Sequence, residues 1–150
     1  MRRIAIAVLL SVCTAPTMIG QVPANPLIGV WRAAGREGAG GLVLTNIPPA
    51  MRMFTAKHYS WIASPIERPT VPFEKATDPQ KTDLWNFVAE MGTYEIKGSN
   101  VVTLVMVGRD PGRTTSAYSE EFTFKIEGNR LLLRTVRPAP GVWTTYVRLE

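Results

Sequence analysis

Along residues 122–127, Phe122, Phe124 and Ile126 alternate with Thr123, Lys125 and Glu127, a period of two that buries one face of a strand and wets the other. The same reading predicts strands over Gly92–Lys97 and Val101–Val107, joined by the hairpin-like connection Gly98-Ser99-Asn100. It predicts another over Arg130–Arg137, after the turn residues Gly128-Asn129, and a last one over Val142–Leu149, after Pro138-Ala139-Pro140-Gly141. Upstream, Leu27–Arg32 reads as a short entering strand, followed by a glycine-rich break and a second apolar run over Leu42–Ile47 that Pro48-Pro49 ends. Met51–Ala63 is rich in aromatic and β-branched types and predicts two strands or one long bent strand, turning near Thr55-Ala56-Lys57.

The pattern changes between these blocks. Pro65, Pro69, Pro72 and Pro79 mark a long connection that no central strand would tolerate. Near its end Thr77 or Asp78 is a helix cap with Pro79 in the first turn, and Leu84, Phe87 and Val88 fall on one face near Trp85. One short helix is therefore predicted, from Pro79 to about Glu90. About eight short strands with tight connections and one helix predict a mostly β domain. An up-and-down antiparallel β-barrel removes its exposed sheet edges, and a two-sheet sandwich is the rival arrangement. There is no internal repeat of propeller or solenoid type.

The first residues belong to a different pattern. Met1-Arg2-Arg3 is a positive start and Ile4 to Val12 an apolar stretch of nine residues, the layout of a signal peptide. Spanning a membrane takes about 20 apolar residues, and Thr14, Pro16 and Thr17 interrupt this run. The reading is therefore a leader over residues 1–22, with the mature start between Gln21 and Asn25, and a single domain over 23–150 that is secreted or periplasmic and has no transmembrane segment. Cys13, the only cysteine, lies inside the leader after Leu10-Ser11-Val12. That box has Val12 where a smaller residue is needed for lipid anchoring, so ordinary removal is expected, leaving a domain held by burial without disulfides. Loss of Arg2 and Arg3 takes the basic count from 17 to 15 against 12 acids, and the net charge from +5 to +3. The remaining basic residues are scattered, which argues against nucleic acid as a partner.

Gly29-Val30-Trp31 on the first strand resembles the Gly-x-Trp signature of lipocalins, with Arg148 on the last strand where those proteins place an arginine against the tryptophan. Phe54-Thr55-Ala56-Lys57-His58-Tyr59-Ser60-Trp61 resembles a block of bacterial lipocalin-like domain proteins, followed there as here by an Asp-Pro-Gln helix start and a Gly-Thr-Tyr-Glu strand. The resemblance runs from Leu27 to Leu149. It implies a lipocalin-like β-barrel with an internal cavity but no particular ligand, because this branch has no settled one. Disulfide cysteines and the later lipocalin blocks are absent from this sequence. Trp31 and Arg148 are read as a structural pair, the guanidinium stacking on the indole while its donors reach backbone carbonyls.

The candidate ligand-binding set is Phe54, Tyr59, Trp61, Tyr94, Phe124 and His58. The wider aromatic group adds Phe122, Trp143 and Tyr146, and either lines a pocket or fills a core. His58, the only histidine, is the one candidate for acid/base work, with Tyr59 or Ser60 beside it. A lone histidine without a mature cysteine does not make a zinc site, so neither metal nor cofactor is expected. Alternation places Tyr59 and Trp61 on one face and His58 and Ser60 on the other, and both sets cannot face inward unless a bulge intervenes. Three functions follow: a non-catalytic exported module for a small hydrophobic molecule, a barrel isomerase or hydrolase using His58, or a filled structural or interaction domain.

Overall fold

The structure is a computed structural model that describes residues 25–65, 70–115 and 117–150. The leader, its cleavage position and Cys13 lie outside the described residues. The strands are β1 (Gly29–Glu37), β2 (Val43–Leu44), β3 (Ala50–Phe54), β4 (His58–Ala63), β5 (Val88–Lys97), β6 (Asn100–Gly108), β7 (Ser119–Glu127), β8 (Arg130–Arg137) and β9 (Thr144–Arg148). The helices are α1 (Asp78–Trp85) and α2 (Pro111–Thr115). From β3 to β9 each strand pairs antiparallel with the next. β3 also pairs with β1, and β1 with β9, so eight strands close into an up-and-down barrel. β2 is a two-residue edge strand against Arg36 and Glu37 of β1.

The strand phases follow the alternation in the sequence. Trp31, Phe54, Tyr59, Val101, Phe122, Leu131, Leu133 and Tyr146 point inward and form one buried cluster with Leu27. The glycine-rich stretch does not end β1: the strand continues to Glu37 and absorbs the irregularity as a register shift between Ala33 and Gly35 opposite β9. A second shift falls between Met91 and Gly92 on β5, where a Cβ on Gly92 would lie 1.9 Å from the Leu104 carbonyl oxygen. Only glycine permits that approach.

The helix prediction needs correction. α1 ends at Trp85, Asn86 leaves helical geometry, and β5 begins at Val88, four residues before the predicted strand. Within 78–85 only Leu84 and Trp85 are large and apolar, too few for a packed helical face. By contrast Val88 to Thr93 find six ladder partners on β4. Phe87 and Val88 happened to fit a helical period, and the sheet took the segment. The start is as expected, with Gln80 accepting the Thr77 backbone N–H at 2.9 Å as in a capping box. α2 was not foreseen.

One end of the barrel is closed. Its connections are the tight turns at 55–57, 98–99 and 128–129, and the lead-in Asn25–Ile28 passes beneath it. Leu27 and Trp31 are fully buried there. The Trp31 indole N–H donates to the Leu27 carbonyl at 2.7 Å, and the Arg148 guanidinium lies 4.1 Å from the indole centre. Arg148 also donates to the carbonyls of Ile28 and Pro26. Above them Tyr94 Oη donates to the Thr55 carbonyl and accepts from Asn25. Trp31→Ala removes the centre of this plug, and urea denaturation should show a loss of about 3–5 kcal/mol. An unchanged urea midpoint would exclude the plug as a stabilising element.

Candidate functional site

The other end is framed by the longer connections 38–49, 64–87, 109–118 and 138–143. On the β3–β4 hairpin Arg52, Phe54, Tyr59 and Trp61 point into the barrel, whereas Met51, Met53, His58, Ser60 and Ile62 point out. No bulge interrupts this hairpin, so the alternation decides which of the two candidate faces is interior.

Beneath the mouth lies a cavity of about 300 Å³, near the lower end of the range for small-molecule sites. Trp61, Phe122, Leu133 and Tyr146 form its apolar walls, Ala33, Ala50 and Ala63 keep it open, and Ile47, Pro48 and Val142 lie at the rim. Arg36, Arg52, Glu120, Thr135 and Thr144 supply its polar side chains. Arg52 is only 4% exposed. Its guanidinium carbon is 4.6 Å from the centre of the Trp61 ring and 4.8 Å from that of Phe122, and its Nε donates to Tyr146 Oη at 3.3 Å.

A second polar group adjoins the first. Arg113 of α2 reaches Glu90 of β5 at 3.1 Å and Glu120 of β7 at 3.0 Å, with its guanidinium over the Tyr118 ring. Tyr59 Oη donates to Glu90 at 3.2 Å, and Tyr118 Oη to Glu120 at 3.2 Å. Burial raises the Glu90 carboxyl above its ordinary value; Arg113 works against that shift and the nearby Glu120 adds to it. Burial, and then the charge of Glu90, push the Tyr59 phenol far above its ordinary value, so it stays protonated and keeps donating.

Of the six residues assigned to ligand binding from sequence, Trp61 alone lines this cavity. Phe54 and Tyr59 are buried core, with Phe124 and Tyr94 packed against it towards the closed end. His58 is exposed on the outer surface opposite Thr93, and the exposed Met53 and Met91 flank Ser60 on the same face. Phe122 and Tyr146, from the wider aromatic group, do line the cavity, whereas Trp143 lies outside it between Lys125 and Arg134. Sequence reasoning passed over Arg52, Glu90, Arg113 and Glu120. Arg52 was legible, because it shares the phase of Phe54 two positions on. Glu90 was hidden by the false helix. Among the described residues no group of three or more His, Cys, Asp or Glu is placed to hold a metal ion.

No known family and no curated protein matches the chain. Two solved structures do. A lipocalin-like protein from Bacteroides uniformis ATCC 8492 superposes with a TM-score of 0.51 at 14% identity, over 82% of this chain and 98% of the other. An uncharacterized protein from Bacteroides eggerthii DSM 20697 superposes with a TM-score of 0.50 at 8% identity, over 81% and 98%. The fold is thus that of a bacterial lipocalin-like barrel, in agreement with the resemblance carried by Gly29-Val30-Trp31.

Two outcomes check the site's anatomy. His58→Ala should change stability by less than about 0.5 kcal/mol in urea, as for an exposed side chain, and leave cavity binding intact; a large loss would mean that the imidazole is structural. For Glu90, the folded protein keeps a proton that the unfolded chain releases near 4.5. Its contribution is therefore most favourable below that value and declines as the pH rises through the raised native pKa. The wild type should lose urea stability relative to Glu90→Gln as the pH rises above about 4.5, whereas a constant difference would show that the carboxyl titrates normally.

Proposed function

We propose that this lipocalin-like barrel is an exported, non-catalytic binding protein that holds a small hydrophobic molecule in the cavity at its open end. The observation that supports it most directly is the asymmetry of the interior. One half is filled by the Leu27–Trp31–Phe54–Tyr59 core, and the other is left open between aromatic walls with three alanines around them. Filling the space would need no more than larger side chains at Ala33, Ala50 or Ala63. Export rests on the leader-like start, Met1-Arg2-Arg3 followed by Ile4 to Val12. Acid/base work in the cavity has no imidazole to perform it, because the only histidine of the chain is on the outer face.

The neutral fluorophore N-phenyl-1-naphthylamine should bind with a dissociation constant in the micromolar range, about −7 to −8 kcal/mol, and quench tryptophan emission. Ala33→Phe, which fills the space from β1, should weaken it at least about ten-fold while the circular dichroism spectrum is unchanged. Native mass spectrometry of protein from its own envelope fraction should show a co-purified small molecule. A probe that never binds, together with repeated recovery of empty protein, would overturn the reading.

A further inference from the structure

The cavity wall carries the donors of Arg36, Arg52 and Tyr146 beside the Glu120 carboxylate and the Thr135 and Thr144 hydroxyls. Arg52 is nearly inaccessible, yet among the described residues no carboxylate approaches it within 4.0 Å, and its one hydrogen bond is from Nε to Tyr146 Oη. The rings of Trp61 and Phe122 stabilise the charge, and among the described residues neither terminal nitrogen has a hydrogen-bond acceptor. Tyr146 spends its oxygen on Arg52, and its own proton has no acceptor among the described residues. The nearest acids are committed elsewhere: Glu120 to Arg113 and Tyr118, and Glu90 to Arg113 and Tyr59.

We propose that the cavity selects apolar molecules carrying a carboxylate or comparable oxyanion, which Arg52 binds with the Tyr146 hydroxyl while the apolar remainder lies against Phe122 and Leu133 towards the rim. The inference rests on the cavity being a ligand site and adds the chemistry of the ligand. Arginine suits the task because its planar fork meets two oxygens at once, and a charge-assisted pair away from bulk water is stronger than the same pair on a surface. An uncharged ligand would leave the donors unmatched, and a cationic one would meet a charge of its own sign.

The test compares matched pairs on the delipidated full chain, decanoate with methyl decanoate and 2-naphthoate with methyl 2-naphthoate, by calorimetry and by displacement of N-phenyl-1-naphthylamine. In at least one pair the acid should bind about ten-fold or more tighter than its ester, and in Arg52→Met acid and ester should bind alike. Arg52→Lys, which keeps the charge without the fork, should retain part of it. Equal binding of acid and ester by the wild type, or neutral probe bound and displaced by neither acid, overturns the anion site and leaves the hydrophobic cavity standing. A preference that survives in Arg52→Met overturns the assignment to Arg52. Failure of the neutral probe itself brings down the binding reading and this inference with it. If Arg52→Met does not fold, the wild-type comparison together with Arg52→Lys decides.

Discussion

The barrel exists because β1 meets β9 across nearly the whole length of the chain, with Trp31 opposite Arg148. Every other pairing in the barrel joins strands separated by a far shorter stretch of chain, from the two-residue turns to the longer segments 38–49 and 64–87, and costs less loop entropy to close. This last pairing is the expensive one, because it must order the domain from end to end before its hydrogen bonds form. The Trp31–Arg148 stack and the carbonyls of Pro26 and Ile28 supply side-chain interactions where the backbone ladder alone would leave the seam at risk. Closure in turn removes the two exposed edges that an open sheet of this size would present.

Packing is divided unevenly along the axis. The closed end is dense with Trp31, Leu27, Phe54 and Tyr59, and the mouth keeps small residues and charges. Two arginines make the contrast. Arg113 is matched by two carboxylates, so its charge is compensated inside the protein. Arg52 is held between aromatic rings and one phenol oxygen, so its charge is stabilised but not neutralised. Burying a cation in that condition is costly, and proteins retain such a cost mostly where a function uses it.

Much of the fold was legible because the side-chain period of a strand is local information. Phe122, Phe124 and Ile126 announce their face without any knowledge of the partner strand, and the same rule separated Tyr59 and Trp61 from His58 and Ser60. The eight-strand closure was recoverable from the number of strands and the lack of any feature protecting an edge. What failed depended on competition between segments. Val88 to Met91 became a strand because β4 offered a ladder, a fact not written in residues 88–91 themselves. The site was harder still. Charged residues are read as surface by default, so Arg52 and Glu90 were passed over although alternation assigns Arg52 inward. Arg113 arrives from a loop, where no periodic signal exists.

That arrival from a loop matters for how the rim can vary. Segment 109–118 does more than bridge β6 and β7, since α2 carries Arg113 inward to join Glu90 of β5 with Glu120 of β7. Segment 138–143 makes no such inward contribution of charge. Rim connections of similar standing in the topology are therefore unequal as sites of change: lengthening or replacing 109–118 would strip Glu90 and Glu120 of their shared cation, whereas sequence drift at 138–143 would alter only the lip of the mouth. Divergence among barrels of this architecture should then be steepest where the rim is merely a cover, and slowest where it reaches down as a keystone.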